Sequence, residues 1–351
     1  MRCARLPSRS LRSHAPDAVT EDSLVAALRE IVETRAGDAS RGPRKIVLGI
    51  GDDAAVWQPS RSHLSVITTD ALVDGVHFLS GTMEPSHIGH RAMAANLSDI
   101  AAMGARPVLV TVALGVAPDT SEAWVRECYG GMQALAAAHG ARIVGGDITR
   151  APALTLALTI VGEVSRSRLK TRAGGRANDV LAVTGSLGAS RAGLELLRRT
   201  LDVEPGIRTA AKCAFALPQP RLREGRFLAA SVHVHALMDS SDGLSTDLAR
   251  LARASGCGAT VEAVPVHPAA EAVARLAGDD PSSYALEGGE DFELLVAIAP
   301  RAFAHLSRRY ALAFGTPLLR IGRLDAMPGI RLRETGLARE LVSAGYDHLA
   351  H

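Results

Sequence analysis

The chain has 351 residues, 47% apolar and 22% charged, which suits roughly two domains of about 150 residues each around a substantial core. Lysine and arginine number 39 against 37 aspartates and glutamates. Residues 1–16 carry Arg2, Arg5, Arg9 and Arg12 without an acid, so the remaining chain holds 35 basic and 37 acidic groups. With 3% aromatic residues, that balance argues against a dedicated nucleic-acid binder, which needs a basic face or a stacking platform.

Residues 1–20 read as a disordered extension. Leu24, Leu28, Ile31 and Val32 recur at helical spacing and predict a helix from about Thr20 to Arg35. Leu64 to Thr69 reads as a strand that ends at Asp70. Pro85 to Met103 reads as a helix, with proline in its first turn and Gly104 as its stop. Val108 to Val116 is a predicted strand, and Asp119 to His139 a helix capped by Asp119 or Thr120. Ile143-Val144 forms a short strand running into Gly145-Gly146-Asp147, and Leu154 to Val164 forms another. The Gly- and Arg-rich stretch from Ser165 to Asn178 reads as a connection. It divides a domain at 21–165 from a second at 166–351. Beyond it come strands at Val180–Thr184, His235–Asp239, Phe292–Ile298 and Leu318–Leu324, and helices at Ser190–Arg199, Arg221–Ala230 and Leu244–Ser255. Strands and helices mix without a regular βα repeat, so the expected class is α+β, two mixed domains rather than one doubly wound sheet.

No run of about 18 apolar residues occurs; the most apolar region, Ile100 to Pro118, is broken by Gly104, Arg106 and Pro107, so no membrane span is expected. Cys3, Cys128, Cys213 and Cys257 form no CxxC pair, which fits a reducing cytoplasm.

The informative feature is where the carboxylates sit. Gly49-Ile50-Gly51-Asp52-Asp53, Thr68-Thr69-Asp70, Gly145-Gly146-Asp147, Met238-Asp239-Ser240-Ser241-Asp242-Gly243 and Gly288-Gly289-Glu290-Asp291 each join hard oxygen donors to small or hydroxyl residues next to apolar strands. One such turn is an ordinary loop; five beside strands suggest carboxylates gathered at one sheet edge, a chemistry suited to Mg²⁺. Asp99 falls on the apolar face of its helix with Ile88, Ala92, Ala95 and Ala102. A carboxylate there is either a metal ligand or a hydrogen-bonded core residue. His77 follows the Asp70 strand and could approach a phosphate or simply pack. No GxxxxGK[ST], no strand-borne GxGxxG and no protein-kinase motif set occurs. Thr184-Gly185-Ser186-Leu187-Gly188-Ala189-Ser190 could present a helix N-terminus to phosphate, and Arg172 lies in a basic stretch.

Taken in order, GIGDDAAV, TTDALVDGVHF, NLSDIAAMGARP, GGDITR, MDSSDGLSTDL and GGEDFELL resemble the thiamine-monophosphate kinase family, within the aminoimidazole ribonucleotide synthetase superfamily. The resemblance runs from about Glu21 to Tyr346-Asp347-His348. It implies two α+β domains of that superfamily's type and a homodimer built through the N-terminal domains. It also implies transfer of the ATP γ-phosphoryl group to thiamine monophosphate with several Mg²⁺ ions. Carried over by position, the metal ligands are Asp53, Thr68, Thr69, Asp70, Asp99, Asp147, Asp239 and Asp242. The ATP contacts are Gly146, Asp147, Arg172 and Ser241, and the thiamine-phosphate contacts are His77, Glu290 and Tyr346. No general base is implied, because a phosphate acceptor with a second pKa of about 6 is already anionic. Other enzymes of the superfamily and a non-catalytic binder are the alternatives. Cys3 lacks the glycine-rich loop of a selenophosphate synthetase, and the terminal Asp347-His348-Leu349-Ala350-His351 lacks the cysteine of hydrogenase-maturation relatives.

Overall fold

The computed structural model describes residues 27, 28, 30–32, 46–48, 56–57, 59–334, 337–342, 344 and 345. Asp53, Tyr346 and most of the helix expected before Arg35 lie outside the described residues; 27, 28 and 30–32 are helical.

A short ribbon of β1 (Ile46–Leu48) and β2 (Val56–Trp57) precedes the first large unit. That unit comprises β3 (Leu64–Val73), α1 (Pro85–Ala102), β4 (Arg106–Val116), α2 (Glu122–Ala138), β5 (Arg142–Arg150) and β6 (Thr155–Val164). Its sheet has the order β3-β6-β4-β5, with β4 and β5 parallel and the other pairs antiparallel. β3 alternates along its length: Leu64, Val66, Thr68 and Asp70 are half-buried, while Ser65, Ile67, Thr69 and Ala71 are exposed on the other face.

The chain continues through β7 (Val180–Val183), α3 (Ala189–Arg198), α4 (Pro205–Ala216), α5 (Leu222–Ala229), β8 (Val234–Ser240), α6 (Leu244–Ala254) and β9 (Gly258–Val261). Then come α7 (Pro268–Ala277), α8 (Pro281–Leu286), β10 (Glu293–Ile298), α9 (Pro300–Phe314), β11 (Leu319–Asp325), β12 (Ile330–Glu334) and β13 (Leu337–Glu340). A seven-stranded sheet orders these as β13-β12-β9-β11-β7-β10-β8, antiparallel except for β12 beside β9. The architecture is therefore two mixed α+β units with a sheet each, as expected.

Three local expectations change. β3 does not end at Asp70 but pairs with β6 without a break from Leu64↔Val164 to Val73↔Thr155, so Thr68, Thr69 and Asp70 sit inside a strand. β5 likewise runs through Gly145, Gly146 and Asp147. A Cβ at Gly146 would lie 1.9 Å from the carbonyl oxygen of Val112, so glycine there serves the close pairing of β4 and β5. The cap of α2 is Ser121, whose Oγ accepts from Trp124 N at 3.2 Å, rather than Asp119 or Thr120. The four helices α4, α7, α8 and α9 and the short strands β9, β12 and β13 go beyond the predicted elements.

α1 lies between the two sheets. It packs on β3, β4 and β6 on one side and on β8 and β10 on the other. Burial therefore runs around most of the helix, not along the single predicted face: Arg91, Met93, Asn96, Leu97 and Ser98 are buried as well as Ile88 and Ala92. The largest core joins α1 and α2 to the four-stranded sheet and reaches Phe215, Leu237, Leu294 and Tyr310 of the second unit. A second core lies between α6 and the seven-stranded sheet. No helix among the described residues is long and apolar enough to cross a membrane.

Candidate active site

A cavity of about 670 Å³ opens where α1 and β3 of the first unit face β8, α3 and the loop before β10 of the second. Its walls bring together Asp70, His77, Asp99, Asp239, Ser241, Asp242 and Glu290, seven of the residues picked out from sequence. These come from four separate stretches of chain, so only folding assembles them.

The carboxylate end is built on α1, β3 and β8. Thr68 Oγ1 donates a short hydrogen bond to Asp99 Oδ2. Asp70 N donates to Asn96 Oδ1 at 3.1 Å, and Asn96, fully buried, anchors its own amide on Ala92 O at 3.0 Å. Strand β3 is thereby stapled to α1, and Asp70 and Asp99 face the same space. Asp239, 3% exposed, accepts from Ser98 Oγ at 2.8 Å. Burial, then the charges of Asp99 and Asp247, push its pKa up to about 8. Burial also raises Asp99, against the Thr68 hydrogen bond and the charge of Arg172. Asp242 pairs with Arg250, which also reaches Asp247 Oδ1 at 3.2 Å. Asp247 was not anticipated from sequence. Its Oδ2 accepts from Ser241 N at 3.0 Å and Asp242 N at 3.1 Å, which shapes the turn after β8.

The opposite end is tied by an arginine. Arg91 of α1 is 3% exposed; its Nη2 lies 2.7 Å and 2.6 Å from the two carboxylate oxygens of Glu290. Its Nη1 donates to Phe215 O at 3.0 Å, and its guanidinium lies 4.0 Å from the centroid of the Phe215 ring. Glu290 and Phe292 adopt φ of +65° and +51°, unusual for non-glycine residues and worth about 1–3 kcal/mol of strain each. Asp291 between them points into the N-terminus of α3, accepting from Gly188 N at 2.6 Å and Ser190 N at 3.1 Å. The predicted phosphate cradle at Thr184–Ser190 is thus filled by a carboxylate of the protein itself. A Cβ at Gly289 would lie 2.4 Å from Ser241 O, so this loop presses against the turn after β8.

The remaining sequence-predicted residues fall elsewhere. Thr69 is on the far face of β3, its Oγ1 donating to Leu158 O at 2.9 Å. Gly146 and Asp147 are exposed on β5, three places from β3 in the sheet, and do not line the cavity. Arg172 is exposed and does not line the cavity, but its charge reaches Asp99; its carbonyl accepts from Ser255 Oγ at 2.8 Å. Sequence reasoning missed Arg91, Asp247, Arg191 and Arg198, the last two being cavity-lining arginines on α3. For Arg91 a signal existed: it lies four residues before Ala95 and eight before Asp99, on the same helical stripe.

Comparison with known proteins identifies the family. Residues 51–164 match the family model for the N-terminal domain of AIR synthase related proteins, and residues 176–328 match that for the C-terminal domain. These two matches together put the chain in the class of AIR synthase related proteins. Within that class, the chain belongs to the thiamine-monophosphate kinase family. It is 36% identical over 307 residues to the thiamine-monophosphate kinase of Synechococcus elongatus, covering 85% of this chain and 90% of the relative. The crystal structure of thiamine-monophosphate kinase from Stenotrophomonas maltophilia superposes with a TM-score of 0.78 at 35% identity, covering 89% of this chain and 97% of that one. The structure described as AaThiL complexed with AMPPCP and TMP superposes with a TM-score of 0.74 at 28% identity, over 83% of this chain and 89% of that one.

Proposed function

We propose that the chain transfers the γ-phosphoryl group of ATP directly, in line, to the phosphate of thiamine monophosphate, giving thiamine diphosphate and ADP as the last step in making that cofactor. The observation that carries this reading is the single cavity in which Asp70, Asp99, Asp239 and Asp242 meet His77 and Glu290. A relative crystallised with an ATP analogue and TMP, read as thiamine monophosphate, supports both substrates.

The reaction brings two polyanions together, so its demands are positioning and charge neutralisation rather than a base. Six carboxylates (Asp70, Asp99, Asp239, Asp242, Glu287, Glu290) and two arginines (Arg191, Arg198) line the cavity. Such a wall repels phosphates unless cations enter. The donor set of carboxylates and hydroxyls fits Mg²⁺, and the buried, proton-retaining Asp239 is the kind of group a divalent cation would stabilise. Among the described residues no three His, Cys, Asp or Glu side chains are arranged to hold an ion by themselves, so waters and substrate phosphates would have to complete any coordination. An open arrangement suits Mg²⁺, which keeps waters and takes substrate phosphate oxygens. Asp70, Asp99, Asp239 and Asp242 would hold the ions nearest the cavity; of the other residues that the resemblance assigns to metal, Thr68 touches this set through Asp99, whereas Thr69 faces the other side of β3, Asp147 lies on β5 and Asp53 is outside the described residues. When bound, Mg²⁺ would supply the positive charge that lets donor and acceptor phosphates approach.

Ser241, Gly146, Asp147 and Arg172 are assigned to ATP. His77, Glu290 and Tyr346 are assigned to thiamine monophosphate. Val73 N donates to His77 Nδ1 at 3.0 Å, so the neutral ring carries its proton on Nε2 and can donate it. Leu72, Val76, Leu194 and Phe215 give this end of the cavity an apolar surface for a heteroaromatic ring. The same reading gives domains at 21–165 and 166–351, action in the cytoplasm and a homodimer formed through the N-terminal domain.

The test is direct. Purified full-length chain with Mg-ATP and thiamine monophosphate should form thiamine diphosphate and ADP in equal amounts. Thiamine diphosphate at or below the blank would overturn the substrate assignment. With ATP made chiral at the γ-phosphorus by isotopes, inversion supports a single in-line transfer, and retention would overturn it.

A further inference from the structure

We infer that Arg91 is the positioning residue that fixes where the ring end of the acceptor lies relative to the phosphoryl-transfer end, with α1 as the ruler between them. This deepens the function proposed above and rests on thiamine monophosphate being the acceptor. Arg91, Ala95 and Asp99 follow one another at four-residue steps along α1, and Ala95 and Asp99 both line the cavity. Eight residues of helix span about 12 Å. At one end of that span Asp99 joins Thr68 and the buried Asp239. At the other end Arg91 gathers three separate elements: both oxygens of Glu290, the carbonyl of Phe215 at the end of α4, and the carbonyl of His77 at 3.4 Å.

The chemistry follows from burial. Arg91 is 3% exposed and Glu290 is 37% exposed at its side chain, so the pair presents the carboxylate to the cavity and keeps the guanidinium behind it. Glu290 sits in left-handed backbone conformation, one residue from a glycine pressed on Ser241. A carboxylate at the end of such a loop needs an outside anchor to hold one direction, and a buried arginine supplies it. Paired in this way, Glu290 accepts hydrogen bonds from an amino-substituted ring without standing as a bare anion beside the acceptor's phosphate. α1 is itself clamped between the two sheets, so the spacing between the two ends is a property of a rigid element.

The experiment compares Arg91→Ala, Arg91→Lys and Glu290→Gln with wild type in the full chain. It measures kcat and KM for each substrate, and the affinity for thiamine monophosphate alone by calorimetry. Circular dichroism and a thermal melt confirm folding. In Arg91→Ala, KM for thiamine monophosphate should rise about tenfold or more while KM for ATP moves less than about threefold. Arg91→Lys, which keeps a buried donor and its charge, should restore much of the loss. In combination with Arg91→Ala, Glu290→Gln should cost less than the product of the two single effects, because both act through one contact. A folded Arg91→Ala with unchanged acceptor KM, or with both KM values raised equally, would overturn the assignment. If Arg91→Ala fails to fold, Arg91→Gln, which loses the charge and the bidentate fork but keeps a donor, replaces it in the cycle with Glu290→Gln: multiplicative effects would overturn the assignment. The failures are distinguishable. Wild type that binds thiamine monophosphate but does not convert it counts against the kinase reading, whereas equal acceptor affinity in wild type and folded Arg91 variants counts against Arg91.

Discussion

The two ends of the cavity handle charge in opposite ways. At the Arg91 end, a carboxylate is matched inside the fold: Glu290 faces a guanidinium on α1, and its neighbour Asp291 takes two backbone N–H groups of α3. At the Asp239 end the carboxylates face one another. Burial first, and then the charges of Asp99, Asp247 and Asp70, push the Asp239 pKa up to about 8, against the Ser98 hydrogen bond. An end whose carboxylate is held by a buried guanidinium can orient a molecule; at the other end Arg250 reaches Asp242 and Asp247 while Asp239 stays buried among like charges, which suits that end to receiving positive charge from outside. Since α1 carries Arg91 and Asp99 eight residues apart, one helix supplies both behaviours.

The strongest way to break this contrast is at Asp239. Asp239→Asn keeps the shape but removes the charge that a cation would meet, so kcat should fall by about a hundredfold, and at least tenfold, with the circular dichroism spectrum unchanged. Turnover within threefold of wild type in a steady-state assay would mean that the carboxylate end is structural.

Next comes a pH test of the same group without substrates. The folded pKa of Asp239, about 8, lies above its ordinary 3.8, so the folded state holds the proton more tightly. The stability this contributes is fully present below about pH 4 and is lost as pH rises through 8. In chelator, the melting temperature should therefore fall between pH 6.5 and pH 9 more steeply in wild type than in Asp239→Asn. Millimolar Mg²⁺ should recover the loss at the alkaline end. Parallel melting curves for the two proteins would remove Asp239 as the source.

The smallest expected effect is at Thr68. Thr68→Val removes the hydrogen bond that holds Asp99 down against burial, so the Asp99 pKa rises further and the stability cost is about 0.5–1.5 kcal/mol. A thermal melt and the pH profile of kcat/KM read both quantities; an acidic limb that stays in place would show that Thr68 does not govern Asp99.

Much of the site was legible because its signals are local. Pro85 and Gly104 bracket α1 within a residue or two, and Asp99 could be put on the helix stripe with Ala95 from spacing alone. The turns around Asp239–Gly243 and Gly288–Asp291 announced themselves through glycine, serine and aspartate. Thr68-Thr69-Asp70 looked like a strand end because a carboxylate after two threonines stops the apolar run. β6 pairs straight through it, and the alternation of the strand then sends Thr69 away from Thr68 and Asp70. The helix N-terminus at Gly188–Ser190 looked open to phosphate because its occupant, Asp291, arrives from more than a hundred residues later. Arg91 was not singled out, because an arginine on a helix usually faces solvent; Phe215 at the end of α4 and the Glu290 loop of the second unit enclose it.

The sequence by itself determined the α+β class, the helix that carries Asp99 and the motif set that identifies the family, since these depend on periodicity, caps and residue order. Tertiary structure decided which carboxylates share a cavity, which of them are compensated from within, and that Arg91 faces Glu290. Those outcomes depend on burial and on pairings across roughly two hundred residues of chain, where the cost of an unpaired buried charge selects the partner.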